Sequence, residues 1–198
     1  MSEPGAGRVI AGSARGIRLV APAATARPLG DRLKEALFAI LEPDLKGRAF
    51  LDLFAGSGAG GIEALSRGAA RAVFVDRSAE AFAATTRNLQ ASHLAASGSI
   101  VRGDALAWLR GAGRAAGPFH VILVDPPYDE PALVGAALEA IAAAGPDGLL
   151  AARGVVVAKH GRREPPASRI GLLASVRERR FGESGLTFLR WQAEEETR

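Results

Sequence analysis

The segment Asp125-Pro126-Pro127-Tyr128 follows the apolar run Phe119–Val124 and carries groups that could hold a planar ring with an exocyclic amine. Two consecutive prolines fix an extended backbone and remove its N–H donors, which leaves the Asp125 carboxylate and the Pro126 carbonyl as acceptors. Tyr128 adds a face for stacking. The exocyclic amine of a nucleobase is a poor nucleophile, because its lone pair is delocalised into the ring. Two acceptors on its hydrogens would draw the nitrogen towards tetrahedral geometry and stabilise the charge that develops as it attacks a methyl donor. The base has to be out of its stack for this, as in enzymes that act on extruded bases. No covalent enzyme intermediate is needed, and the chain has no cysteine to form one. Asp125, Pro126, Pro127 and Tyr128 are the candidate catalytic residues.

A second cluster precedes it. Leu51-Asp52-Leu53-Phe54-Ala55-Gly56-Ser57-Gly58-Ala59-Gly60-Gly61 reads as a buried strand, a glycine-rich turn and the start of a helix. In open α/β sheets, ligands bind at that carboxyl end of the strands. Gly56, Gly58 and Gly61 satisfy the G-x-G-x-x-G spacing of dinucleotide sites, and Asp76 at the end of the next run has the separation needed to hold a ribose. A nicotinamide dinucleotide is therefore one reading. The acid Asp52, four residues before Gly56, favours another. Negative charge there suits the ammonium-bearing, cationic S-adenosylmethionine and is unhelpful to a diphosphate. Asp104, just past a third apolar run, could accept from an adenine amino group, so acids at successive strand ends form a nucleoside site.

These groups require a scaffold that brings strand ends together. The runs Ala49–Phe54, Ala72–Val75, Ser99–Val101, Phe119–Val124 and Gly154–Ala158 alternate with helical patterns from Gly58 to Arg67, from Ala79 to Leu94, through Leu106 and Leu109, and from Glu130 to Ala144. This rhythm predicts a mostly parallel, doubly wound α/β sheet of Rossmann-like type. Ile170–Val176 and Leu186–Trp191, with no helical pattern between them, predict an antiparallel pair at one edge. Ahead of the sheet, Arg8–Ala11 and Gly16–Val20 suit a small β-hairpin, a linker with Pro22 and Pro28 follows, and Asp31 is placed to cap an amphipathic helix that Pro43 ends. Residues 1–30 are read as hairpin and linker, residues 31–198 as the main domain, and the polar tail Gln192–Arg198 as frayed.

A chain of 198 residues with 48% hydrophobic and 23% charged residues has the size and composition of one globular domain. The absence of cysteine excludes disulfides, thiolate zinc sites, iron–sulfur clusters and a cysteine nucleophile. His93, His120 and His160 are scattered, so no metal is expected; His120, just ahead of a strand, is read as structural. The first residues lack the pattern of a secretory signal and no apolar run is long enough for a membrane span, so a cytoplasmic protein is expected. The net charge is +4 and the pI about 10.3. Arginines cluster in residues 1–32 and, together with Lys159, in residues 159–182, flanking a more neutral centre. That distribution suits a polyanion such as nucleic acid, with Arg162, Arg163, Arg179 and Arg180 as further candidate phosphate contacts.

Taken together, these motifs resemble the class I S-adenosylmethionine-dependent amino-methyltransferases with an Asp-Pro-Pro-Tyr motif. Within them the chain is similar to the RsmD-type 16S ribosomal RNA guanine-N2 methyltransferases. The likeness runs through Arg8-Val9-Ile10-Ala11-Gly12, Arg15-Gly16 and Leu19, then Arg27-Pro28, Asp31-Arg32 and Glu35-Ala36-Leu37-Phe38. It continues through Asp52 to Gly58 with Gly61 and Glu63-Ala64-Leu65-Ser66-Arg67-Gly68-Ala69. Leu29-Gly30 departs from it, since the family usually has hydroxyl residues there.

The resemblance implies that Asp52, Phe54, Ala55, Gly56, Ser57, Gly58, Asp76, Arg77, Asp104 and Ala105 hold S-adenosyl-L-methionine. It implies that the tetrapeptide holds a guanine, and that Arg8, Arg15, Arg18, Arg27 and Arg32 contact 16S ribosomal RNA within a 30S subunit or assembly intermediate. The expected enzyme is a monomer without metal or membrane partner. Adenine-N6 methylation of DNA or RNA, a non-catalytic RNA-binding assembly factor and an oxidoreductase are the alternatives. No large target-recognition domain favours DNA, a pure binder has no need of paired acceptors, and no hydride-transfer partner is evident.

Overall fold

The structure is a computed structural model that describes residues 5–22, 29–146 and 148–192. It divides into two compact units, residues 1–105 and 106–198. Arg27, Pro28 and residues 193–198 lie outside the described residues.

The first unit contains β1 (Gly5–Arg8), β2 (Arg18–Val20), α1 (Asp31–Leu41), β3 (Ala49–Leu53), α2 (Ala59–Ser66), β4 (Arg71–Asp76), α3 (Ala79–Ala91) and β5 (Gly98–Arg102). Strands β5, β4 and β3 lie side by side and parallel, in register from Leu53 beside Val75 to Asp76 beside Arg102. Every residue of β3 is buried, as a strand covered on both faces requires. Small residues let α2 lie close to the sheet: a side chain at Gly61 would collide with the Phe74 ring. Ser78 caps α3, its Oγ accepting from Ala81 N at 3.2 Å.

The expected hairpin is present as β1 and β2, antiparallel, but its first strand is shifted. Val9 still bonds to Ile17 and Gly16 across the hairpin, but Ile10 and Ala11 turn onto α2, where their amides donate to the buried Glu63 carboxylate at 2.8 and 3.1 Å. Asp31 is not the cap of α1. Gly30 occupies that position, and the Asp31 carboxylate faces two cations, Arg8 at 3.4 Å and Lys34 at 3.9 Å. Lys34 is fully buried, donates to the Arg8 carbonyl at 2.6 Å, and is held below the usual lysine range, chiefly by burial.

The short helix α4 (Ala105–Arg110) begins at the division. The second unit then holds α5 (Gly113–Ala116), β6 (Phe119–Val124), α6 (Ala132–Ala143), β7 (Leu150–Gly161), β8 (Arg169–Ile170), β9 (Leu173–Phe181) and β10 (Ser184–Trp191). Strands β6 and β7 are parallel; β10 lies against β7 and β9 against β10, both antiparallel, with β8 outermost. The antiparallel pair expected at the edge is thus observed, closed by a tight turn with Gly182 at φ 59°. His120 lies inside β6 rather than ahead of it. The fold is the expected mostly parallel α/β arrangement with an antiparallel edge and an N-terminal hairpin.

Candidate active site

The chain leaves β3 through a loop shaped by left-handed turns and held by both main-chain and side-chain hydrogen bonds. Phe54 has φ 62°, a left-handed conformation that costs a residue with a side chain on the order of 1 kcal/mol. Gly56 and Gly58 follow at φ 54° and 74°. Ala55 N donates to the Val75 carbonyl at 3.1 Å and Gly58 N to the Ala55 carbonyl at 2.7 Å, which closes the turn. From α3, Thr85 Oγ1 donates to the Gly56 carbonyl at 3.0 Å and Asn88 Nδ2 to the Ser57 carbonyl at 2.8 Å. A Cβ at Gly58 would lie 2.8 Å from Thr85, whereas one at Gly56 would meet nothing nearer than the Phe54 carbonyl at 4.0 Å. Gly56 therefore faces open space, as a cradle for a ligand must.

Asp76 is half-buried beside this loop. Its Oδ2 accepts from Gly56 N and its Oδ1 from Ser78 N, each at 2.9 Å. Each oxygen keeps lone-pair capacity for a ribose hydroxyl. Gly103 N donates to the Asp76 carbonyl at 2.9 Å, which draws the segment leading to Asp104 alongside. Phe54, Ala55 and Gly56 are half-buried, and Arg77 and Asp104 are exposed.

Asp52 departs from a role in direct contact. It is 2% exposed, and its Oδ2 accepts from Gly61 N at 2.7 Å in the first turn of α2. The helix N-terminus has claimed the carboxylate. Ser57, Gly58 and Ala105 are buried too.

In the second unit, Asp125 leaves β6 with its side chain 18% exposed, and Lys159 Nζ lies 2.6 Å from its Oδ1. The sequence reading left this carboxylate free; it is shared. Oδ2 and the Pro126 carbonyl have no protein partner among the described residues. Burial raises the Asp125 carboxyl above the usual aspartate range, and the Lys159 charge and hydrogen bond oppose that rise. Tyr128 is 47% exposed, its hydroxyl 2.6 Å from Ser184 Oγ, with Lys159 Nζ 4.7 Å from the ring centroid. The tetrapeptide lines an open cavity of about 250 Å³ together with Pro131, Val134, Lys159, His160, Gly161 and Glu164. The prolines, Val134 and the Tyr128 ring give it flat apolar surface beside the polar groups, which suits an aromatic ring.

Lys159 and His160 are the residues that sequence reasoning missed. Its place in the basic segment 159–182 suggests a surface cation, yet Lys159 is 6% exposed and paired with Asp125. Its signal was present: it is one of three lysines and ends the apolar run Val155-Val156-Val157-Ala158. His160, expected to have no role, borders the cavity with its Nε2 2.9 Å from Thr187 Oγ1. Arg8, Arg15, Arg18 and Arg32 are exposed, Arg8 pairing with Asp31; Arg27 lies outside the described residues. Arg162, Arg163, Arg179 and Arg180 are exposed at the ends of β7 and β9. Among the described residues, no group of three or more potential ligands could hold a metal ion, and no helix is long and apolar enough to cross a membrane.

The mostly parallel α/β fold is that of the class I methyltransferases. The Escherichia coli protein yhhF shares the fold, with a TM-score of 0.80 and 27% identity over 95% of this chain and 99% of that one. A protein from Thermus thermophilus superposes with a TM-score of 0.76 at 34% identity over 92% and 98% of the two chains. The chain belongs to the family described as Conserved hypothetical protein 95, which matches residues 7–190 and is the RsmD-type family. YlbH of Bacillus subtilis is 38% identical over 90% of this chain and 96% of its own length. The Escherichia coli protein named Ribosomal RNA small subunit methyltransferase D is 38% identical over 61% of this chain and 60% of its own.

Proposed function

We propose that the protein transfers a methyl group from S-adenosyl-L-methionine to the exocyclic N2 of a guanine in 16S ribosomal RNA. The observation that carries this reading is the tetrapeptide: a half-buried Asp125 with Oδ2 unpartnered, the Pro126 carbonyl beside it and an exposed Tyr128, all bordering one cavity. Those groups suit an extruded base whose amine must be made nucleophilic. The name of the Escherichia coli relative, a small-subunit ribosomal RNA methyltransferase, points to the RNA.

S-adenosylmethionine, when bound, supplies an electrophilic methyl group on a sulfonium. The loop Phe54–Gly58 would receive it, Asp76 would accept from its ribose and Asp104 from its adenine amine, with Asp52 adding negative charge from below. The remaining chemistry belongs to the chain. Asp125 Oδ2 and the Pro126 carbonyl accept hydrogen bonds from the guanine amine and stabilise the positive charge that grows on nitrogen, and once the methyl group is in place the nitrogen loses its extra proton to solvent. Tyr128 stacks on the ring and fixes its plane, so that much of the acceleration is alignment.

Residues 1–30 act as an RNA-contact module. Arg8, Arg15, Arg18, Arg27 and Arg32, with Arg162, Arg163, Arg179 and Arg180, meet backbone phosphates and contribute affinity that falls steeply with salt. The enzyme works in the cytoplasm as a monomer, on a 30S subunit or assembly intermediate. Purified protein, labelled cofactor and ribosomal subunits from cells lacking the protein test this. Label should appear in 16S RNA of the 30S fraction and not in 23S RNA; cofactor binding without transfer to either would overturn the reading.

A further inference from the structure

We propose that Lys159 is a positioning residue of the base-holding segment, keeping the Asp125 carboxylate charged and aimed and fixing the plane of Tyr128. The inference rests on the function proposed above, and no family motif quoted earlier includes Lys159. Its origin lies in the register of β6 and β7. Val124 stands beside Ala158, so the next residues, Asp125 just past the end of β6 and Lys159 still within β7, come side by side. The side chain is 6% exposed and reaches both functional groups at once, 2.6 Å from Asp125 Oδ1 and 4.7 Å from the Tyr128 centroid.

One oxygen of Asp125 is thereby tied and the other left for the substrate amine. One face of Tyr128 is covered by an ammonium, which leaves the opposite face for a base. Without a partner, a carboxylate in this half-buried place would take up a proton more readily, and a neutral acid stabilises a developing cation poorly. The other titratable groups around the cavity do not replace Lys159. The His160 ring is engaged by Thr187 and the Gly161 carbonyl, the Tyr128 hydroxyl by Ser184, and Glu164 is itself an acid.

Tyr128 is the single tyrosine of the chain, so a ring-labelled tyrosine reports this site alone. In the ligand-free protein its carbon resonance should inflect with the ionisation of Asp125, an assignment that loss of the inflection in Asp125→Asn secures. Lys159→Met should move the inflection up by about one pH unit or more, while Lys159→Arg should leave it near the wild-type position. In the transfer assay, the acid limb of kcat should move the same way. Activity of Lys159→Met should then be about tenfold low at acid pH and recover towards alkaline pH, with KM for RNA raised throughout.

An inflection unmoved in Lys159→Met would overturn the proposal. Should that variant not fold, Lys159→Gln provides the same comparison, and an inflection shifted equally in Lys159→Arg would also contradict it. A shifted inflection in a protein that transfers no methyl group in any form would uphold the pairing and count against the proposed function, so the two ideas fail separately.

Discussion

The glycine loop and the tetrapeptide are held by different kinds of contact. The loop at Phe54–Gly58 takes its shape from left-handed turns and main-chain hydrogen bonds to Val75 and Ala55, with the uncharged side chains of Thr85 and Asn88 fixing its carbonyls onto α3. Its acid, Asp76, already holds two amides in place. At Asp125–Tyr128 the backbone is stiffened by proline, but the working groups are placed by side chains, Lys159 on Asp125 and Ser184 on Tyr128. A loop fixed by many dispersed contacts suits a ligand that is always the same. A site held by an ion pair tunes charge for one chemical step, and a single substitution can remove it.

The strongest way to break this contrast is Asp125→Ala. Transfer should fall by about 10²-fold or more, with cofactor affinity nearly unchanged, since none of the loop's hydrogen bonds involves Asp125. Calorimetric titration of the cofactor alongside the transfer assay checks both halves; equal loss of binding would show that the two sites are not built separately.

Asn88→Ala comes next. Its buried amide holds Val20 N at 2.9 Å and the carbonyls of Val20 and Ser57 at 2.9 and 2.8 Å, joining the hairpin to the glycine loop. Removing it should destabilise the fold by about 2 kcal/mol, measured by denaturant unfolding, and leave the acid limb of kcat where it was.

A smaller effect is expected at Gly58→Ala, where a methyl group meets both positive φ and Thr85 at 2.8 Å. Cofactor affinity should drop about tenfold, equivalent to roughly 1–2 kcal/mol of loop strain, without change in RNA binding. Tyr128→Phe should cost least. It keeps the ring under Lys159 and loses only the exposed contact with Ser184, so transfer should slow by about two- to fivefold. A loss approaching that of Asp125→Ala would give the hydroxyl a chemical role the contrast denies it.

Why the loop was readable and the ion pair was not follows from the distances along the chain. Glycines at 56, 58 and 61, between a buried run and a helical pattern, are local, and Asp76 ends the next run; strand, turn and helix signals all agree there. The ligand-facing state of each residue was less visible. Asp52 reads as a site acid, yet alternation along β3 and the free amide of Gly61 turn it inward. Lys159 lies 34 residues from Asp125, and their meeting depends on the register of β6 against β7, which no local pattern encodes.

The hairpin shows the same limit. Its apolar alternation was legible, but the carboxylate of Glu63, 53 residues from Ile10, decides where the first strand ends. Asp31 was read as a cap from its position, and lost that place because Arg8 and Lys34 offer it charge.

The central claim is the base that receives the methyl group. Small subunits from cells lacking the protein, incubated with it and labelled S-adenosylmethionine, should yield N2-methylguanosine as the labelled nucleoside when their RNA is digested and resolved by mass spectrometry. Label in N6-methyladenosine, or no labelled nucleoside from a protein that binds the cofactor, would contradict the account.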